Sequence, residues 1–136
     1  KNIKIFTQTD NNKNSVLLNK DKFLQVMLNL IDNSISIALN NSNILITSNK
    51  KNQNCVEIKI YDQGKGIDLK EKNKIFERFY TDRIDDRDQH SGLGLSISYE
   101  IINSFNGSIE LTESDNLDFQ GACFLLKLPL KSNDNH

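Results

Sequence analysis

The chain has 136 residues, 37% hydrophobic and 26% charged, with a formal net charge of -1 at pH 7. That length suits one domain with a two-layer core and is short for two, while the near-neutral balance gives no support for a nucleic-acid surface. No apolar run approaches the ~20 residues that cross a bilayer, the opening KNIKIFTQTD does not read as a signal peptide, and Cys55 and Cys123 lie in apolar strand-like runs without metal or redox spacing, as buried reduced thiols of a cytosolic protein would.

Ile3, Ile5 and Phe6 predict a short first strand, followed by a polar loop over residues 9–14 and a second short run at 15–18. Asn19 is a good helix N-cap, with Leu18 and Phe23 spaced to staple the chain around it. Phe23, Val26, Met27, Leu30, Ile31 and Ile37 then recur at helical spacing and make an apolar face. Residues 44–48 and 55–61 read as a strand pair across a polar loop, 49–54, and residues 70–76 as a short helix. The stretch 78–91 is charged and almost without apolar residues, so it reads as a mobile loop. A second long helix is predicted over 93–105, stopped by Asn106 and Gly107. Residues 108–113 and 121–130 close the chain as a hairpin, before a frayed tail. Strands at both ends with helices between them predict an α/β (α+β) fold, a two-layer sandwich of a mixed, mostly antiparallel sheet with helices on one face.

Three motifs on these elements could carry chemistry: NLIDNS at 29–34, DQGKGI at 62–67 and SGLGLS at 91–96. The chain is rich in Asn, so a functional asparagine has to be argued from position. Gln25, Asn29, Asn33, Ser36 and Asn40 step by three or four along the first helix and form one polar stripe. A solvated face would look the same; alternatively Asn33 offers its amide oxygen to Mg²⁺, a cation that takes oxygen ligands but few from protein. Val56, Ile58 and Ile60 alternate with polar neighbours, and Asp62 continues their inward register. A buried carboxylate needs a donor. An adenine amine would serve; an Asx-turn capping the following glycines is the structural alternative. Gly64 and Gly66 allow the tight backbone and close approach that a planar base needs, and Ile67 would add apolar contact. Gly92 and Gly94 precede and open the second helix, whose free N–H groups and positive end favour phosphate. The spacing is neither a dinucleotide-binding fingerprint nor a Walker loop.

Together these residues resemble the catalytic ATP-binding domain of sensor histidine kinases, in the superfamily shared with gyrase, the Hsp90 chaperones and MutL. NLIDNS resembles the asparagine box, and DQGKGI and SGLGLS the two glycine boxes. Phe76 and Phe79 in IFERFY resemble the phenylalanine box, and GACFLLKLPL the closing strand with its final glycine. The resemblance implies the ATP-binding sandwich called the Bergerat fold over residues 1–131, with 132–136 as tail. It implies bound ATP and Mg²⁺, the metal on Asn33, and nucleotide contacts from Asn29, Asn33, Asp62, Gly64, Gly66, Ile67, Phe76, Phe79, Tyr80, Ser91, Gly92, Leu93, Gly94 and Leu95, under a lid at 78–91.

Superfamily members that hydrolyse ATP usually carry Glu four residues before the Mg²⁺-binding Asn, as base for water. Asn29 stands there and accepts no proton at neutral pH, which suits transfer of the γ-phosphoryl group to another acceptor, with catalysis by positioning. Two departures follow from the comparison: Ser36 replaces a basic residue common three positions after Asn33, and Thr81 replaces one common after Tyr80. Among Arg78, Arg83 and Arg87, Arg83 is the preferred catalytic cation. The two histidines, His90 and His136, lie outside any His-Glu-x-x-Arg/Asn phosphoacceptor helix. The resemblance therefore implies a cytoplasmic catalytic domain of a dimeric inner-membrane sensor. Its partners would be ATP or ADP, its own dimerisation and phosphoacceptor domain and, through that, a response regulator. A stand-alone anti-sigma-type serine kinase and a degenerate ATP-binding module are the alternatives.

Overall fold

The computed structural model describes residues 2–10, 16, 18–77 and 94–130. In chain order these form strand β1 (Lys4–Thr9), helix α1 (Lys20–Ile37), strands β2 (Asn43–Asn52) and β3 (Cys55–Asp62), two single 3₁₀ turns (Leu69–Glu71 and Lys74–Phe76), helix α2 (Gly94–Ser104) and strands β4 (Ser108–Thr112) and β5 (Cys123–Pro129). The sheet order is β1-β2-β3-β5-β4. Only β1 and β2 run parallel; the other neighbours are antiparallel.

Both helices pack on one face of this sheet. Val26 and Leu30 of α1 and Ile101 and Ile102 of α2 meet Ile44, Ile60, Phe124, Leu126 and Leu128 in one core. Fully burying each such side chain contributes about 1.5–3 kcal/mol. Phe23 and Met27 lie at the margin of that core, and Ile31 and Ile37 are half-buried, so the apolar stripe read from α1 is its inward face. Asn19 caps α1 as expected, its side chain accepting from Lys22 N at 3.0 Å. At the far end of α2, Asn106 takes a positive φ of 62°. There Asn106 N donates to Asn103 O at 3.0 Å and Gly107 N to Ile102 O at 3.0 Å, a Schellman closure. A Cβ on Gly107 would lie 2.5 Å from Lys127 O, so the stop also lets the chain return against β5.

Three expectations need correction. The predicted loop at 49–54 is mostly strand: pairing continues past Asn49↔Glu57 and Lys50↔Val56 to Asn52↔Cys55, with an irregularity between Lys50 and Asn52. Polar side chains at a solvated ribbon end leave the backbone free to pair. The predicted helix at 70–76 is two separate turns, because seven residues are too few to sustain an α-helix alone. Each turn closes locally, through Lys72 N to Leu69 O at 3.1 Å and Glu77 N to Lys74 O at 2.9 Å. Cys55 is only half-buried, while Cys123 is fully buried and its thiol is pushed up to about 12, chiefly by desolvation. On the far face of the sheet Leu45, Tyr61 and Cys123 are buried, with Phe119 packed over them. The segments 78–93 and 131–136, with the expected lid and tail, lie outside the described residues.

Candidate nucleotide-binding site

Asp62 ends β3 and is 0% exposed, pointing to the helix-covered side as its register requires. Its Oδ1 accepts from Gly64 N at 3.0 Å and from Ala122 N at 2.9 Å. Oδ2 is buried and has no hydrogen-bond partner among the described residues. Burial pushes the carboxyl above its usual range, against the pull of the Gly64 and Ala122 N–H groups. The Asx-turn reading of Asp62 holds for one oxygen, which closes the turn, while the other is a buried acceptor with no partner among the described residues. An acceptor of that kind costs stability until a donor arrives.

The glycines around it differ in purpose. Gly66 has φ +80°, a conformation that side chains resist. Gly64 sits under α1, where a Cβ would come 3.0 Å from Ile37 O. Gly121 is the most constrained: a Cβ there would lie 2.0 Å from Asp62 Oδ1 and 2.7 Å from Gly64 N. Its own N–H donates to Asp62 O at 3.0 Å, and Asp62 N donates to Ala122 O at 3.1 Å. The start of β5 is therefore part of the carboxylate's cradle. The final glycine is visible in the sequence; the Ala122 backbone donor has no side-chain signal to reveal it. A cavity of about 530 Å³ flanks this turn, lined in part by Gly66, Ile67, Gly121 and Ala122, but its lining includes neither Asp62 nor Asn33.

Along α1 the polar stripe dips inward. Gln25 and Asn40 are exposed, Asn29 is half-buried and Asn33 is 7% exposed, so the solvated-face reading fails at its centre. Asn29 Nδ2 donates to Gly94 O at 3.4 Å and Ser98 Oγ at 3.3 Å, joining the helix to the first turn of α2. Ser98 is fully buried and carried no motif signal in the sequence. Asn29, Asn33 and Ile37 occupy successive turns of one helix face. Eight residues of helix rise about 12 Å, comparable with the reach from an adenine ring to its phosphates. One end of this face meets the start of α2 and the other meets the Asp62–Gly64 turn, with Asn33 midway.

Of the other expected contact residues, Ile67 and Leu95 are partly buried against the core. Phe76 packs between Tyr99 of α2 (ring centroids 5.4 Å) and Phe124 of β5 (6.3 Å), which anchors the chain just before residue 78. Phe79, Tyr80, Arg83, Ser91, Gly92 and Leu93 lie outside the described residues. No cluster of three or more His, Cys, Asp or Glu able to hold a metal occurs among the described residues. A buried amide oxygen with few protein co-ligands fits a Mg²⁺ ion bound mainly by phosphate and water.

On the opposite face of β3, Tyr61 Oη donates to Asp115 Oδ1 at 2.6 Å, and Lys59 Nζ to Asp115 Oδ2 at 2.9 Å. Burial, then the bond to Asp115, keeps the Tyr61 phenol protonated well above its usual range. The Tyr61 hydroxyl, and after it Lys59, holds the Asp115 carboxyl below the usual carboxylate range.

Residues 18–132 match the family described as histidine kinase-, DNA gyrase B-, and HSP90-like ATPase. The chain belongs to this ATPase family. Its relatives include the sensor protein ChvG of Rhizobium meliloti, 37% identical over 110 residues, covering 77% of this chain and 19% of that protein. The adaptive-response sensory kinase SasA of Prochlorococcus marinus is 33% identical over 140 residues, covering 99% of this chain and 36% of SasA. The chain thus spans about a fifth to a third of the length of these curated relatives. Among solved structures, the catalytic domain of histidine kinase ThkA has a TM-score of 0.77 at 30% identity, over 93% of this chain and 80% of that one. The mycobacterial sensor histidine kinase MprB shares the fold, with a TM-score of 0.81 at 21% identity, over 95% of this chain and 83% of that one. The fold is thus shared with both solved structures, and the sequence most clearly with the ThkA catalytic domain.

Proposed function

We propose that this chain is the catalytic ATP-binding domain of a two-component sensor histidine kinase. It would span residues 1–131, binding Mg-ATP along α1 and presenting the γ-phosphoryl group to a histidine on a separate helical dimerisation domain. The buried Asp62 Oδ2, without a hydrogen-bond partner among the described residues, carries this reading: it is an unmet acceptor two residues before Gly64 of the glycine turn. Adenine's exocyclic amine donates to it; guanine and hypoxanthine offer oxygen at the same position. Asn33 holds Mg²⁺ through its amide oxygen, and the α2 N-terminus, opened by Gly94 with Gly92 before it, takes the phosphates. Bound Mg²⁺ neutralises phosphate charge as the phosphoryl group is transferred.

Asn29 is no base for water. Its amide N–H groups face Gly94 and Ser98, so it positions α2 instead. The remaining contacts, Phe79, Tyr80 and Ser91 of the lid with Leu93 after it around the nucleotide and Arg83 at the transferred phosphoryl, complete the site. In the parent protein we infer a dimeric, membrane-anchored sensor whose catalytic domain lies in the cytoplasm and whose phosphohistidine serves a response regulator. ThkA has been solved in complex with the response regulator protein TrrA. No helix among the described residues is long and apolar enough to cross a membrane.

Calorimetry with ADP tests the site. In Asp62→Asn, one amide orientation turns an N–H₂ toward adenine's amine and the other turns it toward the Gly64 and Ala122 donors. Either way a donor faces a donor. The expected loss is about 1.5–3 kcal/mol of binding, as for a hydrogen bond to a charged group. Unchanged affinity in a folded variant would remove Asp62 from adenine recognition. Repeating the titration in EDTA tests Asn33: Asn33→Asp should alter binding with Mg²⁺ more than binding without it.

A further inference from the structure

The segment between β4 and β5 reaches both faces of β3 at once. Its end, Gly121–Ala122, cradles Asp62 on the helix side through the Ala122 N–H at 2.9 Å. Its middle is fastened to the opposite face. Asp115 accepts from Tyr61 at 2.6 Å and from Lys59 at 2.9 Å. Phe119 packs on the Tyr61 ring at 6.3 Å between centroids. Gln63 bridges the Asn43 N–H, at 2.7 Å, and the Asp118 carbonyl, at 2.8 Å. Within the segment, Ser114 Oγ donates to the Phe119 carbonyl. Tyr61 is 4% exposed, so its hydroxyl is largely shielded from water while it makes this bond.

Tyr61 and Asp62 are neighbours on one strand and point to opposite faces. The loop that Tyr61 holds from behind is the same loop that holds Asp62 Oδ1 in front. We infer that Tyr61 and Asp115 form a latch that positions Asp62, keeping Oδ1 on the Ala122 N–H so that Oδ2 remains directed at the base. Neither residue touches nucleotide; both act through the loop and are positioning residues. Releasing the latch lets the Ala122 donor retreat and lets the carboxylate rotate, which degrades recognition of the amine and leaves the phosphate contacts intact. The inference rests on the proposed adenine-reading role of Asp62.

The test compares ADP with inosine diphosphate, which carries oxygen where adenine carries its amine. Tyr61→Phe removes only the hydroxyl and keeps the ring on Phe119; Asp115→Asn removes the charge at a mostly exposed position and is expected to fold. In the wild-type chain ADP should bind more tightly than inosine diphosphate. Both variants should weaken ADP roughly three- to tenfold while inosine diphosphate binding stays unchanged, so that the ratio between the ligands falls. Amide exchange at Ala122 should quicken in both. A variant that is merely less stable would leave the ratio in place. No preference for ADP in the wild type would overturn the adenine reading and this inference together. A wild-type preference retained in both folded variants would overturn this inference alone.

Discussion

At the scale of single residues, the glycines separate positions that a motif makes look alike. Gly66 and Gly121 both belong to glycine-bearing signatures, yet substitution at each meets a different obstacle. At Gly66 the nearest atom to an added Cβ is 3.6 Å away, in ordinary contact, and only the φ of +80° resists. Gly66→Ala should therefore cost about 1–2 kcal/mol, the strain of a left-handed residue. At Gly121 the Cβ would stand 2.0 Å from Asp62 Oδ1 and 2.8 Å from Asp62 O, both on a fully buried residue. Gly121→Ala must displace the carboxylate or the strand. It should lower stability in urea denaturation by more than Gly66→Ala does, and ADP affinity with it. Equal losses at the two sites would contradict the cradle described around Asp62. The sequence register of Val56, Ile58 and Ile60 was enough to place Asp62 indoors. It could not reveal that one oxygen closes the turn while the other stays unmet, because the donors are backbone groups, one of them 60 residues away.

At the scale of elements, helices were more legible than strand ends. The Asn19 cap, the apolar stripe of α1 and the Asn106–Gly107 stop of α2 are local signals, and each is satisfied locally in the fold. The ribbon of β2 and β3 beyond Asn49 was not legible, because Lys and Asn side chains there report solvent rather than backbone pairing. The burial of Tyr61 was missed for a related reason: its cover, Phe119, comes from a loop whose docking depends on tertiary contacts. The packing of α1 on α2 likewise depends on a pair distant in sequence, Asn29 and Ser98, 69 positions apart. Ser98→Ala removes one of the two acceptors facing Asn29 Nδ2. The start of α2 should then sit less firmly against α1. Because that start is the proposed phosphate end of the site, ADP should lose about 0.5–1.5 kcal/mol, the worth of one neutral hydrogen bond, while adenosine binding stays the same. Calorimetry with both ligands checks this; equal losses would mean that Ser98 supports the whole domain rather than the phosphate end.

At the scale of the whole molecule, the arrangement separates binding from chemistry. On the proposed reading the domain needs three things: a held nucleotide, an acceptor brought in line with the γ-phosphoryl group, and no competing water reaction. The first would be supplied by β3, β5, α1 and α2, which pack into one core. The second is missing from the sequence of this chain as a motif, since neither His90 nor His136 lies in a His-Glu-x-x-Arg/Asn pattern. The third would follow from Asn29, which by the resemblance stands at the position of a carboxylate base in ATP-hydrolysing members and whose amide is engaged with α2. With γ-labelled ATP, the chain alone should bind nucleotide, release little phosphate and carry no label. Adding the parent protein's His-bearing helical dimer as a separate chain should restore transfer, slowly, because the covalent link that raises effective concentration is gone. Arg83→Ala should slow that transfer more than it weakens ADP, since its proposed contact is to the group that leaves with the acceptor. Rapid phosphate release without the partner would require a base that Asn29 is not, and label on this chain alone would require an acceptor within it; either result would favour a serine kinase or an ATPase of the same family over a sensor kinase domain.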